Sequence, residues 1–283
     1  MGKEYTAQEI SQHYARRHEL RSGIFGKKPY ANYGYWTRED MSIDEACDAM
    51  TELVGTRLGL EEGDRLLECG CGYGASAVYV ARRFRPGNIV GLDVTDVRID
   101  NARKLIAEEG LAETIDVELG DATHLRFEDG SFDKVMAIEC ALHFRTRTTF
   151  LEEAFRVLRP GGILAMTDII LSSAIDPGAH TQEELRDFLG ADLKHICDEN
   201  IYSAPTYAGI LESVGFSPVS VDSIKDRTIL YFARHLERVA HESPPDARAR
   251  RMAVADHFRT KFMQGGDYVV VRAVKPAGGA RQE

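Results

Sequence analysis

Three closely spaced glycines, Gly70, Gly72 and Gly74, follow a short apolar run in this 283-residue chain and precede a helical pattern. Glycine tolerates backbone conformations closed to other residues, so the chain can turn sharply there and bring bare backbone amides against a ligand. About twenty residues later Asp93 ends the next apolar run, and its carboxylate can accept hydrogen bonds from a ribose diol. Glycines alone are also typical of plain structural turns. With the acid, they predict a site for a cofactor that carries a nucleoside.

The glycine turn lies within an alternation of short apolar runs and helical stretches that begins near residue 64. This alternation indicates an α/β fold, in which helices cover both faces of a parallel sheet. Strands are expected at residues 65–69, 88–93, 115–119, 132–138, 162–169, 218–222 and 267–274. Helices are expected at residues 76–83, 97–109, 148–158, 206–214 and around 229–240.

Outside this alternation the chain has three further parts. Residues 1–62 contain no clear strand, and we interpret them as a helical N-terminal cap, with helices at 7–20 and 42–58, on a core at 63–275. Residues 172–204 interrupt the core with polar helical material, expected at 181–199, and we interpret them as a lid insertion over the sheet. Residues 276–283 are expected to form a flexible tail.

Composition and charge argue against several function classes. The formal net charge of -10 would repel a phosphate backbone, so we expect no nucleic acid partner. No apolar run approaches the roughly 20 residues that cross a bilayer, and the N-terminus lacks the order of a signal peptide, so we expect no membrane partner. The five cysteines are odd in number, and two lie inside the glycine turn, which suggests reduced thiols in the cytoplasm. A homodimer is left open.

A metal site is not expected. Cys69 and Cys71 have no partner motif of the kind that binds zinc, and we interpret them as small buried side chains. Asp168 ends a strand, but no second acid stands beside it.

Five ordered motifs resemble those of class I S-adenosylmethionine-dependent methyltransferases, in particular the branch that methylates small molecules. They lie at residues 68–74, 91–93, 120–122, 138–143 and 156–162. The resemblance implies a Rossmann-like sheet, mostly parallel with an antiparallel closing strand. It also implies S-adenosyl-L-methionine as the cofactor and a small-molecule acceptor bound under the cap and the lid.

By the same resemblance, one set of residues surrounds the cofactor. The set comprises Glu68 in the first motif, Gly70 and Gly72 for the methionyl part, Asp93 for the ribose, Asp121, Val94 and Ala122 for the adenine, and Tyr35 or Trp36 with Glu139 and Ala141 for the methionyl carboxylate and the sulfonium. Two alternatives stay open, because Asp121 could cap a turn and Trp36 could be an ordinary core aromatic.

His143 is the candidate general base. It follows the fourth strand and therefore stands at the carboxyl edge of the sheet, where ligands bind in open α/β folds. A neutral imidazole there can accept the proton of a hydroxyl acceptor. The alternative is a histidine that bonds a loop carbonyl. His13, Tyr14 and His195 are secondary candidates.

The leading hypothesis is O-methylation of a small, fairly apolar metabolite in secondary metabolism. Nitrogen and carbon acceptors, such as amines, prenyl chains and polyketides, stay open. Two other function classes compete with it. A binding module could keep the fold without turnover. An NAD-linked dehydrogenase would share the glycine turn, but the third, fourth and last motifs argue against it.

Overall fold

The structure is a computed structural model that describes residues 23–190 and 196–278. Its seven strands are β1 (Arg65–Cys69), β2 (Asn88–Asp93), β3 (Ile115–Leu119), β4 (Phe132–Ile138), β5 (Leu158–Leu171), β6 (Val219–Ser223) and β7 (Gly266–Val274). They form one sheet in the order β3-β2-β1-β4-β5-β7-β6, in which β7 runs antiparallel to both neighbours. The predicted α/β class and the antiparallel closing strand are confirmed.

Helices account for most of the remaining described chain. The α-helices are α1 (Ile43–Leu58), α2 (Ala75–Arg83), α3 (Asp96–Glu108), α4 (Arg147–Val157), α5 (Gln182–Leu189), α6 (Ala204–Val214), α7 (Ile229–His241) and α8 (Pro245–His257). Short 3-10 turns lie at Ala141–His143, Pro177–Ala179, Asp198–Asn200 and Lys225–Arg227, and a π-helical turn, Phe258–Phe262, and a last helical turn, Met263–Gly265, lead from α8 into β7. None of the described helices has both the length and the apolar composition needed to span a bilayer.

Both faces of the sheet are buried, because successive side chains along a strand point to opposite sides. On β1, Leu67 packs with residues of α4 and α6, whereas Leu66 packs with residues of α1, α2 and α3. Val135 and Met136 on β4 divide between the same two clusters. Burial on both faces explains why these strands read as nearly continuous apolar runs.

A third apolar cluster joins the segment before α1 to the helices between β6 and β7. Tyr33 stacks on Phe232 of α7, with ring centroids 4.6 Å apart, and Trp36 stacks on Tyr231 at 6.2 Å. The sequence pattern did not predict α8, the next helix of this group. Only Ala255 of α8 is buried, so the helix lacks the apolar periodicity by which a helix is recognised.

Two boundaries differ from the sequence prediction by more than two residues. The strand expected at 162–169 begins earlier, at Leu158, directly after α4. The helix expected over 181–199 is shorter, because α5 ends at Leu189 and Gly190 takes φ 152°. The helix expected at 7–20 lies outside the described residues, and so do His13, Tyr14 and His195.

A buried ion pair connects β5 to the first residue of α4. Arg147 Nε lies 2.7 Å from Asp168 Oδ2, and both side chains are fully buried. A second guanidinium nitrogen donates to Asp168 Oδ1 at 3.1 Å, and the hydroxyl of Tyr207 donates to Oδ2 at 3.0 Å. A buried charge that loses its partner costs several kcal/mol, so neither member can be removed cheaply.

We expect Asp168→Ala to lower the free energy of unfolding by about 3–5 kcal/mol, because Arg147 is left as an uncompensated buried charge. Urea unfolding measures the change. Glu39→Ala is the matched control, since it breaks the exposed pair between Arg234 and Glu39. The control should lose about 1 kcal/mol or less. Equal losses in the two variants would contradict a structural role for the buried pair.

Candidate active site

A cavity of about 390 Å³ lies at the carboxyl ends of β1, β2 and β4. The glycine turn after β1, the acid that ends β2, the segment after β3 and the turn after β4 all contribute to its wall. Residues 29–32 line it from the N-terminal segment. Ligands of open α/β sheets bind at this edge, and the first four of the five sequence motifs meet there.

The glycine turn is required by two different constraints. Gly70 and Gly72 have φ of 74° and 56°, in the left-handed region that disfavours side chains. A Cβ on Gly70 would also lie 2.7 Å from Cβ and Sγ of Cys140, whose thiol donates to the carbonyl of Cys69 at 3.1 Å. The turn therefore keeps bare backbone on the cavity wall.

Glu68, the cavity residue next to the end of β1, has a carboxylate that is only half satisfied. Its Oε1 accepts a hydrogen bond from the hydroxyl of Ser76, whereas the buried Oε2 has no hydrogen-bond partner among the described residues. Burial raises the pKa of Glu68 to about 7. A buried acceptor without a partner costs free energy, so this oxygen fits a ligand that brings a donor, such as an ammonium group.

Asp93 ends β2 and is held in place from several sides. Its Oδ2 accepts from the backbone N–H of Gly72 at 3.1 Å, and its Oδ1 accepts from that of Thr95 at 2.9 Å. The guanidinium of Arg98 lies 3.5 Å from Oδ2. Each carboxylate oxygen can accept more than one hydrogen bond, so the fixed carboxylate can also accept hydrogen bonds from the two hydroxyls of a diol.

The segment after β3 brings Asp121 and Ala122 to the cavity, near Val94. Asp121 Oδ1 accepts from both the backbone N–H and the hydroxyl of Thr123, each at 2.8 Å. The carboxylate therefore caps a turn, as the alternative interpretation expected, and it also lines the cavity. The two interpretations are compatible.

Glu139, directly after β4, ties the N-terminal segment to the sheet. Its Oε2 accepts from the backbone N–H of Tyr33 at 2.9 Å and from the hydroxyl of Tyr268 at 2.6 Å. Burial raises the pKa of Glu139 to about 8. The bond from Tyr33 holds the N-terminal segment next to the cavity, which both residues 29–32 and Glu139 line.

The structure does not bring Tyr35 or Trp36 to the cavity wall. Trp36 is fully buried and donates through Nε1 to the carbonyl of Tyr33 at 2.9 Å. This is the position of a core aromatic. Ala141 also lies away from the wall, in the apolar cluster around α4.

His143 lies on the wall of the same cavity, at the end of the turn Ala141–His143. It is 9% exposed, and its backbone N–H donates to the carbonyl of Cys140 at 3.0 Å. Phe144 and Arg145 continue the wall beyond it. The sequence prediction that this histidine stands at the carboxyl edge of the sheet agrees with this geometry.

Sequence reasoning missed several polar residues of the wall, and Ser76 and Arg98 are two of them. Each lies in the first turn of the helix that follows a motif strand, so their proximity to the site follows from the strand-to-helix connection. Arg98 also lies over the ring of Tyr73 at 5.4 Å. Within the described ranges, no group of three His, Cys, Asp or Glu residues could hold a metal ion.

Comparisons with known proteins agree with the cofactor site that the cavity residues indicate. Residues 67–166 match the family described as methyltransferase domain. Erythromycin 3''-O-methyltransferase of Saccharopolyspora erythraea is 30% identical over 256 residues, which cover 87% of this chain and 84% of that protein. Methyltransferase GfsG of Streptomyces halstedii is 32% identical over 227 residues, covering 78% and 77%.

Among solved structures, the [4+2]-cyclase SpnF superposes with a TM-score of 0.81 and 26% identity, over 98% of this chain and 99% of that one. The similarity to the erythromycin enzyme extends beyond the matched domain on both sides, because it covers 87% of this chain. The chain therefore belongs to the class I S-adenosylmethionine-dependent methyltransferases.

Proposed function

We propose that this enzyme transfers a methyl group to a hydroxyl of a small, largely apolar natural product, with His143 as the general base. The observation that carries the proposal is the position of His143. Its side chain lines the same cavity as Glu68, Asp93 and the glycine turn, so base and cofactor site share one space. Sharing one space is the condition for proton removal and methyl transfer to occur together.

The cavity residues fit the cofactor at its two polar ends. The unpartnered Oε2 of Glu68 suits the methionyl ammonium, and the carboxylate of Asp93 suits the ribose diol. Val94 and Ala122 offer apolar surface for the adenine beside Asp121. When bound, S-adenosylmethionine supplies an activated methyl group on a sulfonium.

The chain's own contribution is alignment and removal of a proton. A hydroxyl ionises far above neutral pH, so a positioned base lowers the barrier by about two to four orders of magnitude in rate. A neutral imidazole can take that proton at a ring nitrogen. His143 is nearly enclosed, which limits competition from bulk water.

The acceptor class is proposed from the relatives and from the residues that line the cavity beside His143. One relative acts, by its name, at the 3''-oxygen of erythromycin. Here Phe144, Arg145 and residues 29–32 line the same cavity as His143. In this proposal residues 1–62 form the cap and 172–204 the lid over the acceptor. A nitrogen or carbon acceptor is the alternative, and a free amine would need no base.

We expect His143→Gln to reduce kcat by about 10²–10⁴-fold, because the hydroxyl loses its base. Methyl transfer is measured with labelled S-adenosylmethionine against a panel of hydroxyl-bearing natural products that includes erythromycin lacking its 3''-O-methyl group. His241→Gln, an exposed histidine at the end of α7, is the control. A wild-type kcat in His143→Gln would show that His143 is not the general base. Turnover of an acceptor without formation of S-adenosylhomocysteine would refute methyl transfer.

Asp93→Asn should weaken binding of S-adenosylhomocysteine by roughly 10- to 100-fold, as expected for lost hydrogen bonds to a charged group. Titration calorimetry gives the dissociation constants. Asp116→Asn, at an exposed position of β3, should leave them unchanged. Should both variants bind like the wild type, the ribose site lies elsewhere.

The pH dependence of cofactor preference tests the proposed place of Glu139 near the sulfonium. Its pKa of about 8 means that the carboxyl is mostly neutral below that pH and ionised above it. A cationic ligand favours the ionised form, so the preference for S-adenosylmethionine over S-adenosylhomocysteine should rise with pH towards about 8 and then level off. Glu139→Gln should show no such rise. A rise of equal size in both proteins would assign it to another group.

A further inference from the structure

Asn200 holds the backbone on both sides of His143. It lies in the turn Asp198–Asn200 of the insertion after β5 and is 1% exposed. Its Nδ2 donates to the carbonyl of Leu142 at 3.2 Å and to the carbonyl of Phe144 at 2.8 Å. One amide group is therefore hydrogen-bonded to the residues immediately before and after the candidate base.

The same side chain also fixes the start of α4. Its Oδ1 accepts from the backbone N–H of Arg147 at 2.9 Å, so both ends of the amide are engaged by the segment 142–147. The guanidinium of Arg147 in turn donates to the backbone carbonyl of Asn200 and pairs with Asp168. The hydrogen bonds of Asn200 around His143 are thus connected, through Arg147, to the buried ion pair.

Asparagine suits this position for a chemical reason. The segment presents two carbonyls and one N–H, and the amide supplies two N–H donors and one carbonyl acceptor. An aspartate of the same shape would set a carboxylate oxygen against the two carbonyls. A serine would be too short to reach all three groups.

The described parts of the insertion do not themselves line the cavity. Asn200 is nevertheless in contact with the turn that carries His143, so the insertion can act on the base without touching the ligand. We propose that Asn200 is a positioning residue that sets the orientation of the His143 imidazole for proton removal. This inference rests on the proposed function of His143.

The first test observes His143 directly and needs no acceptor. Histidine labelled with ¹³C gives ring signals in an NMR spectrum, and the signal lost in His143→Gln identifies this residue. We expect that signal to shift or broaden in Asn200→Asp and in Asn200→Ser, with S-adenosylhomocysteine present. Asn88→Asp is the matched control, because Asn88 donates to the carbonyl of Thr114 at the far end of the sheet. The control should leave the signal in place.

The second test is kinetic. In the folded Asn200 variants kcat should fall by up to about 100-fold while the KM for S-adenosylmethionine stays within twofold, as expected for a displaced reacting group. A general loss of structure would instead change both constants and the melting temperature. Asn200→Ser keeps a neutral side chain and serves as the readout if Asn200→Asp does not fold.

The outcomes separate this inference from the proposed function. An unchanged His143 signal in a folded Asn200 variant overturns the inference, whatever the activity of His143→Gln. A shifted signal with wild-type kcat overturns it as well, if His143→Gln is inactive. A wild-type kcat in His143→Gln refutes the role of His143 as the general base. A shifted His143 signal in the Asn200 variants would still show that Asn200 orients the ring.

Discussion

The hydrogen bond from the N–H of Gly72 to Asp93 Oδ2 joins the turn after β1 to the end of β2, and the site depends on it. It requires a turn tight enough to place a backbone amide beside the next strand, which the left-handed glycines allow. Once this corner is fixed, the parallel sheet sets the position of every other element at its carboxyl edge. Glu68 and His143 reach the cavity because their strands, β1 and β4, pair directly with each other.

Three buried acids of the molecule fall into two groups, which differ in the partners that hold them. Asp168 is paired with a buried guanidinium, and its task is structural. Glu68 and Glu139 are instead held by hydroxyl and backbone donors, and burial raises the pKa of both. Either carboxyl favours a ligand with positive charge when it is ionised. A sulfonium cofactor brings such a charge.

The sequence predicted the strands and placed both Asp93 and His143 at the carboxyl edge of the sheet, because the ends of parallel strands share one edge whatever the packing around them. It left open whether Trp36 lies at the cofactor or in the core, because the ring packs against Tyr231, nearly two hundred residues later in the chain. Nor did it single out Asn200, since a polar residue in an insertion carries no periodic signal. Local pattern thus predicts the core of the site, and long-range packing decides the residues around it.

A crystal structure with S-adenosylhomocysteine and an acceptor bound is the most direct test of the central claim. The account predicts the ribose hydroxyls at hydrogen-bonding distance from Asp93, and the acceptor hydroxyl within about 3.2 Å of a ring nitrogen of His143. A ribose bound away from Asp93, or an acceptor whose reacting atom lies beyond the reach of His143, would contradict it.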